Sequence, residues 1–336
     1  SRPNLTIQTG AMGESLILEG KSCVGIRYSV KGDAREARAT REVIVSSGSI
    51  NSPKLLELSG IGQPELLQKY GIDVLHELPG VGESLRDHYS PRMKYAISEK
   101  NATFSERGTG LRLIGEAMKY AFFRKGFIAL STVPLRMYFR TREGLESPDA
   151  TISFMPFLTE RINRARVISK QPGVTMNVNV LRSESLGSIH IKSSDPAMAP
   201  AIRFNFLSAE MDRTGVLYAM RKGRELMGTL PVAGIVSKEI APGADLQSDE
   251  ELLEWVRNNA ETTYHPVGTC KMGSDPMAVV DDNLRVHGID GLRVADASIM
   301  PTLTSGNTNA PSIMIGEKCA TMVLAVAEAT DSKAAA

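Results

Sequence analysis

Arg41-Glu42-Val43-Ile44-Val45-Ser46-Ser47-Gly48 is the stretch on which the fold class turns. Its apolar run stops at a cluster of small residues, as a buried strand does where it ends at a ligand crevice. Ser52-Pro53 then opens a helical segment, Lys54 to Leu58, since proline suits a first helical turn. Ser59-Gly60-Ile61-Gly62 stops it. A strand that passes through small residues into a helix predicts an α/β protein.

Upstream, Asn4-Leu5-Thr6-Ile7, Ser15-Leu16-Ile17-Leu18 and Val24-Gly25-Ile26-Arg27-Tyr28 are short strand candidates separated by glycine-containing turns, and Lys31 to Thr40 is a polar stretch. Downstream, Leu78-Pro79-Gly80-Val81-Gly82 is rich in turn residues and leads to Asp87-His88. Residues 107–170 carry twelve Lys/Arg against five Asp/Glu, either a solvated face or a basic patch for an acidic partner. Val174 to Val180 alternates with period two, the pattern of a half-buried strand, and Gly187 to Lys192 is a further strand candidate. Ser248 to Ala260 reads as a helix with Ser248 and Glu251 as its capping box and Leu252, Leu253 and Val256 as its apolar side. Trp255 on that helix is a packing anchor. A last strand, Gly291 to Asp296, leads through Pro301 and Gly306 to a long helix from about Ala310 to Ala327.

The chain has 336 residues, 42% hydrophobic and 23% charged, which suits a packed globular core rather than a disordered segment. A formal charge of +1 gives no global attraction to nucleic acid. No apolar run reaches the roughly 18 to 20 residues of a membrane span, and Ser1-Arg2-Pro3-Asn4 does not open a signal peptide. Cys23, Cys270 and Cys319 form no C-x-x-C pair, so they are expected as small buried hydrophobes in a reducing, cytoplasmic compartment. His76, His88, His190 and His287 have no metal-ligand spacing; His76, His190 and His287 read as structural, and no metal is expected.

Three segments carry a resemblance. They are Gly48 to Gly62, Tyr264-His265-Pro266-Val267-Gly268-Thr269-Cys270-Lys271-Met272-Gly273, and Val294-Ala295-Asp296-Ala297-Ser298 continuing into Gly306-Asn307-Thr308-Asn309-Ala310-Pro311. In content, spacing and order they resemble the glucose–methanol–choline (GMC) family of flavin-dependent alcohol oxidoreductases. The resemblance runs from Arg2 to Ala320 and covers the C-terminal three-fifths or so of such an enzyme. Gln247 to Glu251, leading into the histidine segment, looks most like the choline-dehydrogenase branch. The glycine-asparagine segment fits aryl-alcohol or furfural-type members equally well.

The resemblance implies part of a Rossmann-like FAD domain at 1–87 and 276–330, a mainly antiparallel-sheet α+β substrate-binding domain at 88–275, and a disordered tail at 331–336. It implies oxidation of a primary alcohol to an aldehyde by hydride transfer to flavin, with His265 as base, because imidazole titrates near neutrality. Asn309 would complete the catalytic pair by donating to the forming alkoxide; it also suits the N-cap of the last helix. Gly13, Gly48, Ser49, Tyr264, Asp296, Ala297, Asn307, Thr308, Ala310 and Pro311 are the implied cofactor-binding residues. Two positions depart from the family pattern: glycine at Gly13, where valine is usual, and Ser84 within Gly80-Val81-Gly82-Glu83-Ser84-Leu85.

No Gly-x-Gly-x-x-Gly occurs, so the βαβ unit that holds the pyrophosphate is expected from another segment or chain. The implied partners are that segment, a small alcohol, and an electron acceptor, oxygen or a quinone-like carrier; peripheral attachment to the inner membrane stays open. Two other readings stand beside the enzyme: a flavin-free domain that binds a partner chain, and a flavin-dependent lyase or photodecarboxylase.

Overall fold

Two-residue turns set up the first sheet of the computed structural model, which describes residues 2–163 and 165–334. Strands β1 (Ala11–Glu19), β2 (Ser22–Val30) and β3 (Asp33–Arg38) form an antiparallel meander. Lys31 and Gly32, both at positive φ (55° and 91°), join β2 to β3, the mirror-image turn whose twist matches paired strands. All six residues of β3 are exposed, so it lacks the apolar alternation that betrays a strand in sequence. Asn4 to Ile7, expected as a strand, has no strand structure, and Leu5 and Ile7 lie in solvent.

Strand β4 (Val43–Val45) pairs in parallel with Leu292–Val294, bringing together segments almost 250 positions apart. The chain then turns directly into helix α1 (Gly48–Leu58), which begins earlier than the expected Lys54 and contains Pro53. Leu16, Val45, Leu56, Val267, Val294 and Ile315 belong to one buried cluster under these elements. Burying each such side chain contributes about 1.5–3 kcal/mol. Cys23, Cys270 and Cys319 lie in the same cluster as free thiols.

A second sheet has five strands in the order Val236–Ala241, Arg92–Ile97, Gly173–Val180, Ala150–Met155 and Leu135–Phe139, every pair antiparallel. Helix Glu210–Met227 covers it with Val216, Ala219, Met220 and Met227. The central strand is buried on both faces, not half-buried as its alternation suggests. Two of its polar residues are buried with partners: Thr175 Oγ1 donates to the Phe157 carbonyl at 2.9 Å, and Asn179 Oδ1 accepts from Ser90 Oγ at 3.2 Å. Ser248 and Glu251 close the capping box on helix Asp249–Asn259.

The chain divides into one unit of Ser1–Asp87, Ser185–Phe206 and Tyr264–Ala336 and another of His88–Glu184 and Leu207–Thr263. This corrects the assignment of all of 88–275 to one domain. The hairpin of Ser188–His190 with Ala201–Arg203 is held in the first unit by reciprocal backbone bonds between Leu85 and Gly187. The last helix runs Asn309–Ala334, so 331–334, expected as tail, continue it, while 335 and 336 lie outside the described residues. Among the described residues no helix is long and apolar enough to cross a membrane.

Candidate active site

The segment Tyr264 to Gly273 is irregular yet tied on two sides. Arg86 and Val267 exchange backbone hydrogen bonds at 3.0 and 2.9 Å, while Cys270 N–H donates to the Ser298 carbonyl and Met272 N–H to that of Ile299. Gly268 stands at φ +91°, and a Cβ there would meet the Ser84 carbonyl oxygen at 2.4 Å, so only glycine lets the strands close. Tyr264, at φ +63° with its side chain 79% exposed, holds a backbone conformation that costs a non-glycine residue energy.

A second tie follows from Pro53. Proline has no N–H to return to the carbonyl of Ser49 four residues earlier. That carbonyl instead accepts from Thr269 Oγ1 at 2.7 Å, which joins α1 to the histidine segment inside the buried core.

His265 is fixed through its backbone and its ring. Its N–H donates to Oδ1 of the buried Asp87 at 2.9 Å. Its Nε2 lies 3.1 Å from Nδ2 of Asn307. With the amide nitrogen as donor, Nε2 is the acceptor and carries no proton. The pairing corrects the expected partner: Asn307, expected as a cofactor contact, meets the ring, and Asn309 does not. The helix explains it. The Thr308 carbonyl accepts the Ser312 N–H at 3.0 Å, so Thr308 caps the helix and Asn309 is its first residue, while Asn307 stays in the extended approach. The N-cap expected at Asn309 accordingly belongs to Thr308.

Asp296 is buried and turned inward. Its Oδ2 accepts from Gly48 N–H at 2.9 Å and Ser52 Oγ at 2.5 Å, and its Oδ1 from Ser298 N–H at 2.8 Å. A carboxylate at the start of α1 also complements the positive end of that helix. The residue thus fixes the turn Ala297–Ile299 against the start of α1.

Gly48, at φ +80°, has nothing within 4 Å of where a Cβ would stand, so the backbone borders open space. Beside it Ser49 Oγ is buried with no hydrogen-bond partner among the described residues. Asn309 and Ala310 offer first-turn N–H groups with no intrahelical acceptor, and Pro311 has none to leave unpaired. An approachable backbone, an orphaned hydroxyl and an open helix N-terminus form a donor set suited to a polar or anionic cofactor, and the residues present fit a flavin nucleotide. Gly13 lies apart in sequence at the exposed start of β1, beside a register shift.

Sequence reasoning missed a charged cluster. Glu57 is wholly buried, its Oε1 2.6 Å from His190 Nδ1, and its Oε2 accepts from Ile191 N–H. Glu83 Oε1 meets His190 Nε2 at 3.1 Å and Gln63 Nε2 at 2.9 Å. Burial opposes the imidazolium, but the two carboxylates prevail and raise His190 to about 9. Burial pushes Glu57 upward, and the hydrogen bond from His190 holds Glu83 below the usual carboxylate range. The signal in the sequence was a lone carboxylate within the apolar run Leu55-Leu56-Glu57-Leu58. Burial pushes the Cys270 thiol well up, so it is inert at neutral pH. Among the described residues no cluster of His, Cys, Asp and Glu could hold a metal.

Two family models described as GMC oxidoreductase match the chain, one over residues 1–90 and one over 183–316. Oxygen-dependent choline dehydrogenase 1 of Chromohalobacter salexigens is 42% identical over 325 residues, 96% of this chain and 57% of that protein. Oxygen-dependent choline dehydrogenase of Escherichia coli O127:H6 is 42% identical over 327 residues, 96% of this chain and 58% of that protein. The structure of formate oxidase superposes with a TM-score of 0.87 at 26% identity, covering 96% of this chain and 61% of the other. Pyridoxine 4-oxidase from Mesorbium loti superposes with a TM-score of 0.81 at 27% identity, covering 95% and 58%. The chain thus spans less than three-fifths of the length of these curated relatives.

Proposed function

The chain belongs to the GMC oxidoreductase family and is choline-dehydrogenase-like, and from that premise we propose that it is the C-terminal portion of an FAD-dependent enzyme oxidising a primary alcohol to an aldehyde. The observation that carries the reading is the 3.1 Å approach of His265 Nε2 and Asn307 Nδ2. A substrate hydroxyl entering between the two groups would replace their mutual hydrogen bond, donating its proton to Nε2 and accepting a hydrogen bond from Nδ2. His265 then removes the hydroxyl proton while Asn307 stabilises the negative charge growing on oxygen. The Asp87 bond to the His265 backbone keeps the ring from drifting off the hydroxyl.

Bound FAD supplies the acceptor for the hydride that leaves the alcohol carbon. Gly48, Ser49, Tyr264, Ala297, Thr308, Ala310 and Pro311 would hold it, with the backbone N–H groups of the last helix opposite charge gathered on the ring; Gly13 is assigned to the adenine end. In this reading the first unit is the flavin portion and the second the substrate-binding portion. A dinucleotide-binding segment beyond this chain and an electron acceptor, oxygen or a quinone-like carrier, complete the system.

The test is spectroscopic. FAD added to the chain, alone and with a polypeptide carrying a Gly-x-Gly-x-x-Gly unit, is expected to give a protein-bound flavin band that an alcohol bleaches without oxygen. A chain that never retains flavin is instead a partner-binding domain. Flavin that stays oxidised with every alcohol points to lyase or photodecarboxylase chemistry.

A further inference from the structure

The five-stranded sheet of the second unit is apolar toward its helix and polar on its other face. Met93, Met176 and Val180 lie under helix Glu210–Met227, since a Cβ on Gly223 would meet the two methionines and one on Gly215 the valine. Side chains alternate along a strand, so Arg92, Lys94 and Asn177 stand on the opposite face. The pairing register there sets Arg136, Ser153, Asn177 and Arg92 directly opposite one another, one residue from each of four adjacent strands. Neighbouring strands are only about 5 Å apart, so such a row meets a ligand as one surface.

The row is positive, and its polar groups are incompletely matched. Its four strands contain Arg92, Lys94 and Arg136 and no Asp or Glu. Arg92 Nη1 donates to Glu261 Oε2 at 2.8 Å, which answers one of these charges. Arg136 Nε donates to Ser153 Oγ and Lys94 Nζ to the Thr159 carbonyl, both at 2.9 Å and both uncharged acceptors. In the middle of the row Asn177 Oδ1, an acceptor, and Arg92 Nε, a donor, are buried with no hydrogen-bond partner among the described residues. A hydroxyl satisfies both at once, and a carboxylate answers the cations. A quaternary ammonium group would call for aromatic faces and carboxylates, and these strands offer it the Tyr138 ring beside Thr151. We propose that this face of the second unit selects the alcohol, and that the alcohol is a hydroxy acid, its carboxylate held by Arg136 and a second hydroxyl by Asn177 and Arg92. The assignment rests on the reading of the second unit as the substrate-binding portion of an alcohol oxidoreductase.

Glycerate is the probe, because it carries a primary alcohol, a second hydroxyl and a carboxylate; glycerol lacks the charge and choline reverses it. Each is titrated calorimetrically, at constant ionic strength, into the chain completed with FAD and a polypeptide carrying the remaining length of the relatives. Glycerate is expected to bind at least about tenfold more tightly than glycerol or choline, the scale of one charge-assisted hydrogen bond. Arg136→Gln and Asn177→Asp should each lower glycerate affinity about tenfold or more, with thermal melts to check folding. Asn177→Asp should also narrow the gap to choline, since it adds a carboxylate to the row. Arg35→Gln, at an exposed arginine of β3, should bind like the parent. Glycerate that binds no more tightly than choline overturns the proposal. So do variants that bind it like the parent, the result expected of a row that holds only water. Anaerobic flavin reduction separates this proposal from the reading beneath it. Glycerol or choline reducing the flavin as fast as glycerate below saturation sinks the hydroxy-acid assignment and leaves alcohol oxidation standing. Glycerate that binds as expected but reduces no flavin removes alcohol oxidation and leaves the anion-binding face standing.

Discussion

At the residue scale the arrangement rests on two neighbours of Thr308. Asn307 and Asn309 are chemically identical and both are compatible with a cap, so sequence spacing alone does not choose between them. The choice is made by where the helix begins: Asn309 is its first residue, and only Asn307 reaches the His265 ring. Asn307→Ala in the flavin-loaded complex should slow alcohol-dependent flavin reduction by roughly 10²–10³-fold, the usual cost of one oxyanion donor. Asn309→Ala should stay within a few-fold of the parent. Rapid-mixing absorbance at the flavin band measures both, and the opposite ranking would restore Asn309. His265 was singled out only through the family resemblance of Tyr264 to Gly273, and its ring lies against Asn307. Asp87 and Glu57 were not legible as functional supports, because nothing in a sequence says that a carboxylate is buried.

The element scale shows what holds His265 in place. The histidine segment is clasped by the chain at 84–86, by the turn Ala297–Ile299 and by α1, and Gly268 is where the backbones come closest. Gly268→Ala should leave little soluble folded protein, since its Cβ would strike backbone and its φ is unfavourable to any side chain. A variant that melts within a few degrees of the parent would show the clasp to be loose.

The hairpin that carries His190 is locked to α1 by charge, which makes its stability pH-dependent. His190 in the folded protein titrates at about 9 against an ordinary value near 6.5. Its contribution is therefore complete below about 6.5 and is lost as pH rises through about 9. Glu83, held low, acts at the other end, losing its contribution as pH falls through the acid range. Melting curves between pH 6 and about 10 should show parent and His190→Gln drawing together in the alkaline half. A constant gap between them would remove His190 from the lock. Helix α1 was only partly legible: Pro53 marks a first turn in sequence, yet it sits inside the helix because Thr269 takes the carbonyl it leaves free.

At the scale of the molecule, local patterns announced the α/β class, the strand at Val43 and the capped helix at Ser248. They did not announce that Ser185–Phe206 packs with the first unit, because that depends on backbone pairing between Leu85 and Gly187, about a hundred positions apart. The parallel pair of β4 with Leu292–Val294 is equally long-range; the family resemblance grouped 1–87 with 276–330 but did not give the pairing.

The most direct measurement is the rate of anaerobic flavin reduction by a primary alcohol in the FAD-loaded complex, parent against His265→Ala. Loss of a general base predicts a variant slower by roughly 10²–10⁴-fold with its flavin still bound. A variant reduced as fast as the parent would contradict proton removal by the imidazole beside Asn307.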